Sequence, residues 1–265
     1  MKKEHCCFCT DSKNFMPTKR IHIPVAKKCS MGCNYCGYFT DKNITLDLSR
    51  PGTSSKVVST REEIEQYLEE KMALVGSCDV IGVSGPGDPL ENMDSLNELH
   101  EVLQEKYIEK NLCICTNGRY FDREMDKLLS WNELKYFSVT INTLNPSSVV
   151  GLYSAIARKK DAKQFISNQI NAIEVMHNSG RKVKVNTIYI PGVNELEIEN
   201  MFLTLRKVGA DCFNLMRMQN INSYTLTMID EYYESNFEKI RMELEGYQIP
   251  LTVKCKNCTA DFCGV

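Results

Sequence analysis

The sequence has no excess of either charge and no long apolar run. Of its 265 residues, 32 are Lys or Arg and 34 are Asp or Glu, so the formal net charge is -2 and the pI is about 6.1. This balance does not favour a nucleic-acid-binding surface or a polybasic membrane patch. No apolar run is long enough to span a bilayer, and the N-terminus lacks a signal-peptide hydrophobic region. We therefore expect a cytoplasmic protein that binds neither nucleic acid nor membrane.

Cysteine, by contrast, is abundant, with 13 residues. All but two fall into four groups: Cys6, Cys7 and Cys9; Cys29, Cys33 and Cys36; Cys113 and Cys115; and Cys255, Cys258 and Cys263. In a reducing compartment, clustered cysteines indicate metal ligands or catalytic groups rather than disulfides. The two isolated residues, Cys78 and Cys212, lie in apolar strand-like runs and are predicted to be small buried side chains.

The second group has the tightest spacing, with three thiols between Cys29 and Cys36. Thiolates are the usual ligands of a [4Fe-4S] cluster, and three of them leave the fourth iron open to a small molecule. The alternative is a structural zinc site, which more often takes four ligands from two CxxC pairs. Because only three cysteines lie close together in this segment, the spacing favours a reactive iron–sulfur cluster over a zinc site.

Predicted strands and helices alternate about six times along the chain. The strands are 22–26, 79–84, 112–116, 136–141, 182–190 and 212–216, and the helices begin near residues 60, 92, 122, 161, 195 and 230. This order predicts parallel strands with crossover helices, in an α/β fold with fewer units than a closed TIM barrel. We predict a partial (β/α)6 TIM-like barrel over residues 21–250, with a Cys-rich arm (1–20) and a Cys-rich tail (251–265).

Glycine-rich and polar segments follow the predicted strands. In parallel sheets, active sites and ligand-binding sites usually lie at these carboxyl ends of the strands. Gly85–Pro89 (GPGDP) follows the second strand, and its glycines would let a ligand approach the backbone, although an ordinary tight turn explains it equally well. It matches neither a Walker loop nor GxGxxG. Asn186 and Asn214 lie within strands five and six, where they either bind a ligand or satisfy buried backbone groups.

Together these motifs resemble those of the radical S-adenosylmethionine (SAM) enzymes. Cys29, Cys33 and Cys36 match the CxxxCxxC loop of that superfamily, and Tyr35 matches the aromatic residue before the last cysteine. The resemblance implies a [4Fe-4S] cluster whose open iron binds SAM and cleaves it to a 5′-deoxyadenosyl radical, with electrons from a reductant such as ferredoxin or flavodoxin. The three cysteines are the implied catalytic residues. The implied SAM-binding residues are Tyr35, Ser84, Gly85, Pro86, Gly87, Asp88, Thr116, Asn117, Asn142, Asn186 and Ile190.

Within the superfamily, the sequence resembles the NifB family of nitrogenase cofactor assembly, in order from His5 to Asp261. That family fuses two bound four-iron clusters and inserts a carbide, using SAM as both methyl donor and radical source. The resemblance implies one or two additional iron–sulfur clusters, with cluster-donor and cofactor-carrier proteins as partners. The further metal ligands that the resemblance implies are Cys7, Cys113, Cys255 and Cys258. This chain has gained Cys263 relative to the family, and we predict it as a ligand beside Cys255 and Cys258. The tail cysteines are also compatible with a permanent auxiliary cluster or a zinc clip.

The sequence departs from the NifB pattern at several positions. Phe15 and Met16 stand in place of a histidine pair, Leu48 in place of an acidic residue and Arg217 in place of a proline, and we expect no cofactor-carrier domain after the barrel. A histidine and a carboxylate suit transient ligation or proton removal from carbon, so these changes concern the carbide step rather than SAM cleavage. Three hypotheses follow: a NifB-type enzyme, a radical SAM enzyme with auxiliary clusters acting on a peptide or small organic substrate, and a non-catalytic iron–sulfur carrier.

Overall fold

A computed structural model of the chain describes residues 20–36, 57–76, 78–83, 85–218, 231–247, 251–252 and 262–263. The predictions for Cys7, Ser84, Cys255 and Cys258 lie outside these residues, as do those for positions 15, 16 and 48. For Cys263 the structure describes a backbone strand only.

Eight strands form one sheet in the order β7-β6-β5-β4-β3-β2-β1-β8. They are β1 (Arg20–Ile23), β2 (Val80–Val83), β3 (Asn111–Thr116), β4 (Leu134–Thr140), β5 (Lys182–Ile188), β6 (Cys212–Met216), β7 (Leu251–Thr252) and β8 (Phe262–Cys263). Strands β1 to β7 run parallel, and β8 is antiparallel to β1. Because β7 and β8 lie at opposite edges, the described sheet is open. The predicted partial (β/α)6 barrel is confirmed.

The described residues include seven helices: α1 (Arg61–Val75), α2 (Met93–Lys106), α3 (Phe121–Ser130), α4 (Pro146–Leu152), α5 (Lys159–Asn178), α6 (Ile198–Val208) and α7 (Glu231–Gly246). A 3₁₀ turn covers Pro89–Glu91. The six predicted helices are present. Helix α4 was not predicted, because its 7 residues are too few for a clear apolar periodicity. Among the described residues, no helix has the length and apolarity that a membrane span requires.

The two faces of the sheet differ in chemistry. Alternate residues of the strands, such as Ile21, Ile81 and Ile114, are buried with helix residues in one apolar core. Successive side chains of a strand point to opposite faces, so the intervening residues lie on the other side. We name that side the inner face; its residues include Arg20, Gly82, Cys113, Cys115, Ser138, Lys184, Asn186 and Asn214.

The inner face is polar, although parallel strands are usually apolar on both sides. Arg20 is 5% exposed and Lys184 is 7% exposed. Gly82 makes room for Arg20, since a Cβ at Gly82 would lie 2.5 Å from Arg20 Nε. At one end of this face, Cys113 and Cys212 pack with Val80 in a small apolar cluster of their own. The predicted burial of Cys78 and Cys212 is confirmed.

Candidate active site

The cysteine loop, residues 29–36, lies beyond the carboxyl end of β1, with all three of its cysteines partly exposed. On one side it contacts the residues that end α4. The Ser154 N–H donates to the Gly32 carbonyl over 3.0 Å, and the Asn34 N–H donates to the Leu152 carbonyl over 3.0 Å. Gly32 has φ +60, and a Cβ there would lie 2.0 Å from Ser154 Oγ. The fold therefore requires glycine at this position of the loop.

On its other side, the segment leading into the cysteine loop contacts the GPGDP loop, residues 85–89. The Gly87 N–H donates to the Ala26 carbonyl over 2.9 Å, and the Asp88 N–H donates to the Lys28 carbonyl over 2.8 Å. A Cβ at Gly87 would lie 2.2 Å from the Lys28 oxygen. Sequence reasoning explained this glycine by ligand approach, whereas the structure shows that contact between the two loops already requires it.

Asn92 also joins these loops. It occupies the N-cap position of α2, but its side chain makes no capping hydrogen bond. Its Oδ1 instead accepts from the Lys27 N–H over 3.2 Å, and its Nδ2 donates to the Lys28 carbonyl over 3.1 Å. The cysteine loop is thus anchored by backbone and side-chain bonds from two separate elements.

Asp88 is a buried carboxylate that links the GPGDP loop to the end of β3. It accepts hydrogen bonds from the Asn117 N–H (2.7 Å), the Thr116 hydroxyl (2.8 Å) and the Leu90 N–H (3.0 Å). Burial raises the pKa of Asp88 to about 6, and the three donors oppose this rise. The carboxylate predicted to bind SAM is therefore engaged in ordering the loops around the predicted SAM site.

Asn117 brings the end of β3 to the cysteine loop. Its Nδ2 lies 3.7 Å from Cys29 Sγ, and its Oδ1 accepts from the Arg119 N–H over 2.8 Å. Gln169, buried on α5, donates to the carbonyls of Asn117 (2.8 Å) and Thr140 (2.9 Å). The amide of Asn117 is thereby fixed as a donor toward the Cys29 sulfur.

Two other predicted SAM contacts, Tyr35 and Asn142, bind each other. Asn142 Nδ2 donates to Tyr35 Oη over 2.6 Å and to Tyr153 Oη over 3.1 Å. Asn142 is 1% exposed. The rings of Tyr35 and Tyr153 meet edge to face, with their centroids 6.3 Å apart. The roles of Tyr35 and Asn142 as SAM contacts stay predictions, while their roles in ordering the loop are visible in the structure.

The predicted SAM contacts on β5 and after it, Asn186 and Ile190, form hydrogen bonds with different partners. Asn186 Nδ2 donates to Cys115 Sγ over 3.4 Å, and Asn186 Oδ1 accepts from Asn214 Nδ2 over 3.0 Å. Ile190 is fully buried, and its N–H donates to Asn194 Oδ1 over 2.8 Å. A ligand at this turn would therefore contact backbone rather than the Ile190 side chain.

The cysteine loop suits an iron–sulfur cluster better than a single metal ion. Within the described part of the chain, no three His, Cys, Asp or Glu side chains are grouped closely enough for one ion. A cluster does not need that grouping, because each thiolate binds its own iron. Burial raises the pKa of Cys29 to about 11 and of Cys33 to about 12, so binding iron must displace their protons. Asn117 Nδ2 offers a hydrogen bond to the sulfur of Cys29.

Sequence reasoning missed Tyr153, Asn194 and Gln169 as residues of the site. Asn194 had a local signal, because it ends the Ile190–Asn194 turn whose start was singled out. Tyr153 and Gln169 had none, since each meets the site only through tertiary contacts. Arg217, which stands in place of a proline of the NifB pattern, forms an ion pair with Glu234 on α7 over 2.8 Å.

Three cysteines on a loop after the first strand of a partial barrel, beside a glycine-rich loop, define a radical SAM enzyme. The chain belongs to the radical SAM superfamily, whose family model matches residues 23–205. Membership implies a [4Fe-4S] cluster, SAM as co-substrate and a reductant. It also favours an enzyme over the non-catalytic carrier.

Within this class, the chain is similar to the FeMo cofactor biosynthesis protein NifB. It is 32% identical to that of Chlorobaculum tepidum over 270 residues, covering 99% of this chain and 62% of that protein. It is 28% identical to that of Methanocaldococcus jannaschii over 274 residues, covering 99% of this chain and 86% of that protein. The chain thus spans less than two thirds of the first of these relatives. The crystal structure of methylornithine synthase (PylB) shares the fold, with a TM-score of 0.59 at 14% identity, over 88% of this chain and 63% of that one.

Proposed function

We propose that this enzyme reductively cleaves SAM at a [4Fe-4S] cluster bound by Cys29, Cys33 and Cys36, and processes iron–sulfur clusters toward a nitrogenase cofactor precursor. The observation that carries the proposal is the anchoring of one three-cysteine loop to the GPGDP loop on one side and to α4 on the other. When bound, the cluster supplies an open iron for SAM and the electron that cleaves it. The similarity to NifB supports the second part of the proposal.

The chain's own residues order the SAM site. Asp88 fixes the GPGDP loop against the end of β3, and Asn117 directs its amide toward Cys29. Gly85, Pro86 and Gly87 are partly exposed beside them. We propose that their backbone receives the methionine part of SAM and that the Ile190 turn receives the adenine.

The inner face is suited to an anionic metal cluster as substrate. Cys113 and Cys115 on β3 supply thiols, and Arg20 and Lys184 supply positive charge at low exposure, where charge interactions are strong. We propose that Cys113 ligates one substrate cluster there. We also propose that Cys7, Cys255, Cys258 and Cys263 ligate another, with cluster-donor and carrier proteins as partners in the reducing cytoplasm.

Replacement of the loop cysteines tests the first part of the proposal. We expect Cys29→Ala, Cys33→Ala and Cys36→Ala each to abolish 5′-deoxyadenosine formation in anaerobically reconstituted protein with dithionite, because the cluster loses one of three thiolates. Cys78→Ala, a buried cysteine outside the site, is the matched control and should retain activity. Retention of SAM cleavage by any loop variant would refute the cluster assignment.

Methyl transfer tests the second part. With methyl-labelled SAM and the inner-face clusters loaded, we expect label to enter an acid-labile cluster, from which acid releases it as a volatile product. Formation of 5′-deoxyadenosine without such transfer would instead favour a peptide or small organic substrate.

A further inference from the structure

Every polar group of Asn117 has a hydrogen-bond partner, and one of these partners is a sulfur of the cysteine loop. The Asn117 N–H donates to Asp88 Oδ2 over 2.7 Å, and the Asn117 carbonyl accepts from Gln169 Nε2 over 2.8 Å. Asn117 Oδ1 accepts from the Arg119 N–H over 2.8 Å, and Asn117 Nδ2 donates to Cys29 Sγ over 3.7 Å. The backbone and the side chain of Asn117 are therefore both held in place.

The hydrogen bond from the Arg119 N–H decides which end of the Asn117 amide faces Cys29. An Asn side chain has one oxygen that accepts and one nitrogen that only donates. A flipped amide would place its NH₂ group against the Arg119 N–H, so two donors would face each other in a partly buried turn, which costs free energy. The turn therefore presents an N–H group, and not an oxygen, to the Cys29 sulfur.

Gln169 on α5 holds this turn from the other side. Its Nε2 donates to the carbonyls of Asn117 (2.8 Å) and Thr140 (2.9 Å), which lie at the ends of β3 and β4. Gln169 is 1% exposed, and a Cβ at Gly118 would lie 3.1 Å from its Cγ. Leaving such buried groups unpaired costs free energy. The position of Asn117 is thus set by the fold and does not require a cluster on the loop.

We propose that Asn117, fixed by Arg119 and Gln169, is a positioning residue that donates a hydrogen bond to the cluster-ligating sulfur of Cys29 and so raises the reduction potential of the cluster. The inference rests on the proposed function, because it needs a cluster on the cysteine loop. An iron-bound sulfur is ionised and accepts more strongly than a thiol. A hydrogen bond to it withdraws electron density and favours the reduced cluster. The bond therefore makes the cluster easier for the electron donor to reduce.

A redox titration of the reconstituted full chain without SAM, followed by the EPR signal of the reduced cluster, tests the proposal. Asn117→Asp keeps an oxygen for the Arg119 N–H and replaces only the nitrogen that faces Cys29. Asn117→Ser also keeps an acceptor for the Arg119 N–H, adds no charge and has no amide to reach the sulfur. We expect both variants to have a more negative midpoint potential than the wild type, at the wild-type iron content.

Asn186→Asp is the matched control for the added carboxylate. Asn186 Nδ2 also donates to a cysteine sulfur, that of Cys115 over 3.4 Å, but Cys115 does not belong to the cysteine loop. The same exchange of an amide for a carboxylate at Asn186 should therefore leave the potential of the loop cluster closer to the wild-type value than Asn117→Asp does.

The outcomes separate this inference from the proposed function. If the wild type binds a cluster and cleaves SAM, but Asn117→Asp and Asn117→Ser titrate at the wild-type potential, the inference is wrong and the proposed function stands. Equal shifts in Asn117→Asp and Asn186→Asp with no shift in Asn117→Ser would also overturn it, since the added charge alone would then explain the effect. If the wild type shows neither a cluster EPR signal nor SAM cleavage, both fail.

Discussion

At the scale of single residues, Asp88 shows how a buried carboxylate orders the loops of a site. It is 4% exposed and accepts hydrogen bonds from Leu90, Thr116 and Asn117. These bonds connect the GPGDP loop to the residue whose amide points to Cys29. The order of the predicted SAM site therefore depends on a buried group whose desolvation costs free energy.

The pKa of Asp88 predicts a pH dependence of stability. Burial raises this pKa from 3.8 to about 6, so between these values the folded protein binds more protons than the unfolded chain. The contribution of Asp88 to the free energy of unfolding should fall as pH rises through this window, by up to about 3 kcal/mol, and stay constant above it. Urea unfolding of the wild type and of Asp88→Asn at about pH 4 and about pH 7 measures this. The advantage of the wild type over the variant should be larger at the lower pH; the opposite order would show that the three donors outweigh burial.

At the scale of elements, the short helix α4 determines where the cysteine loop lies. Its final residues pair with the loop from Met31 to Asn34, and Cys33 forms an isolated antiparallel bridge with Tyr153. The close approach at Gly32 leaves no space for a side chain. An element of 7 residues, far away in sequence, thus fixes the position of Cys33, one of the proposed cluster ligands.

Gly32→Ala should displace the loop from α4. A left-handed backbone costs a residue with a Cβ roughly 1–2 kcal/mol, and the new methyl group would overlap Ser154 Oγ. We expect lower iron content after reconstitution, measured per chain, and partial recovery in Gly32→Ala/Ser154→Ala, which removes the overlapping oxygen.

Gly180→Ala is the control for backbone strain alone. Gly180 has φ +82, and nothing lies within 4 Å of the position of its added Cβ. This variant should lose similar stability but keep its iron. Equal loss of iron in both variants would contradict a specific role for the α4 contact.

At the scale of the whole molecule, the sheet separates two environments. The helix-covered face is apolar, whereas the inner face contains thiols, amides and two buried cations. The register across β3, β4 and β5 places Cys115 beside Ser138 and Ser138 beside Lys184. A substrate bound inside the barrel would therefore contact the polar, positively charged inner face of the sheet.

Cys113→Ala tests whether the inner face binds a substrate cluster. We expect it to lower the iron content of the cluster-loaded chain by up to one cluster, while SAM cleavage in the absence of substrate clusters continues. Cys212→Ala is the matched control, because Cys212 lies in the same small apolar cluster of the inner face and is not a predicted ligand. Equal iron content in the two variants would remove Cys113 from the set of ligands.

The amino-acid sequence alone was enough to predict the order of strands and helices and the three-cysteine loop after the first strand. These features depend on residues near one another in the chain, so their spacing and periodicity reveal them. The limits of the first strand differ from the prediction, which was 22–26, whereas β1 covers Arg20–Ile23. β1 ends at Ile23 because Pro24 has no N–H for a sheet hydrogen bond.

Which groups meet around that loop depends on tertiary contacts between distant parts of the chain. Tyr35 and Asn142 are 107 residues apart, and Asn117 and Cys29 are 88 apart. No local pattern specifies such pairs, because they depend on the register of the parallel strands and the path of the crossovers. For the same reason, the sequence could not show that Asp88 and Asn142 form hydrogen bonds that hold the site together, while their assignment to SAM, like that of Tyr35, stays a prediction.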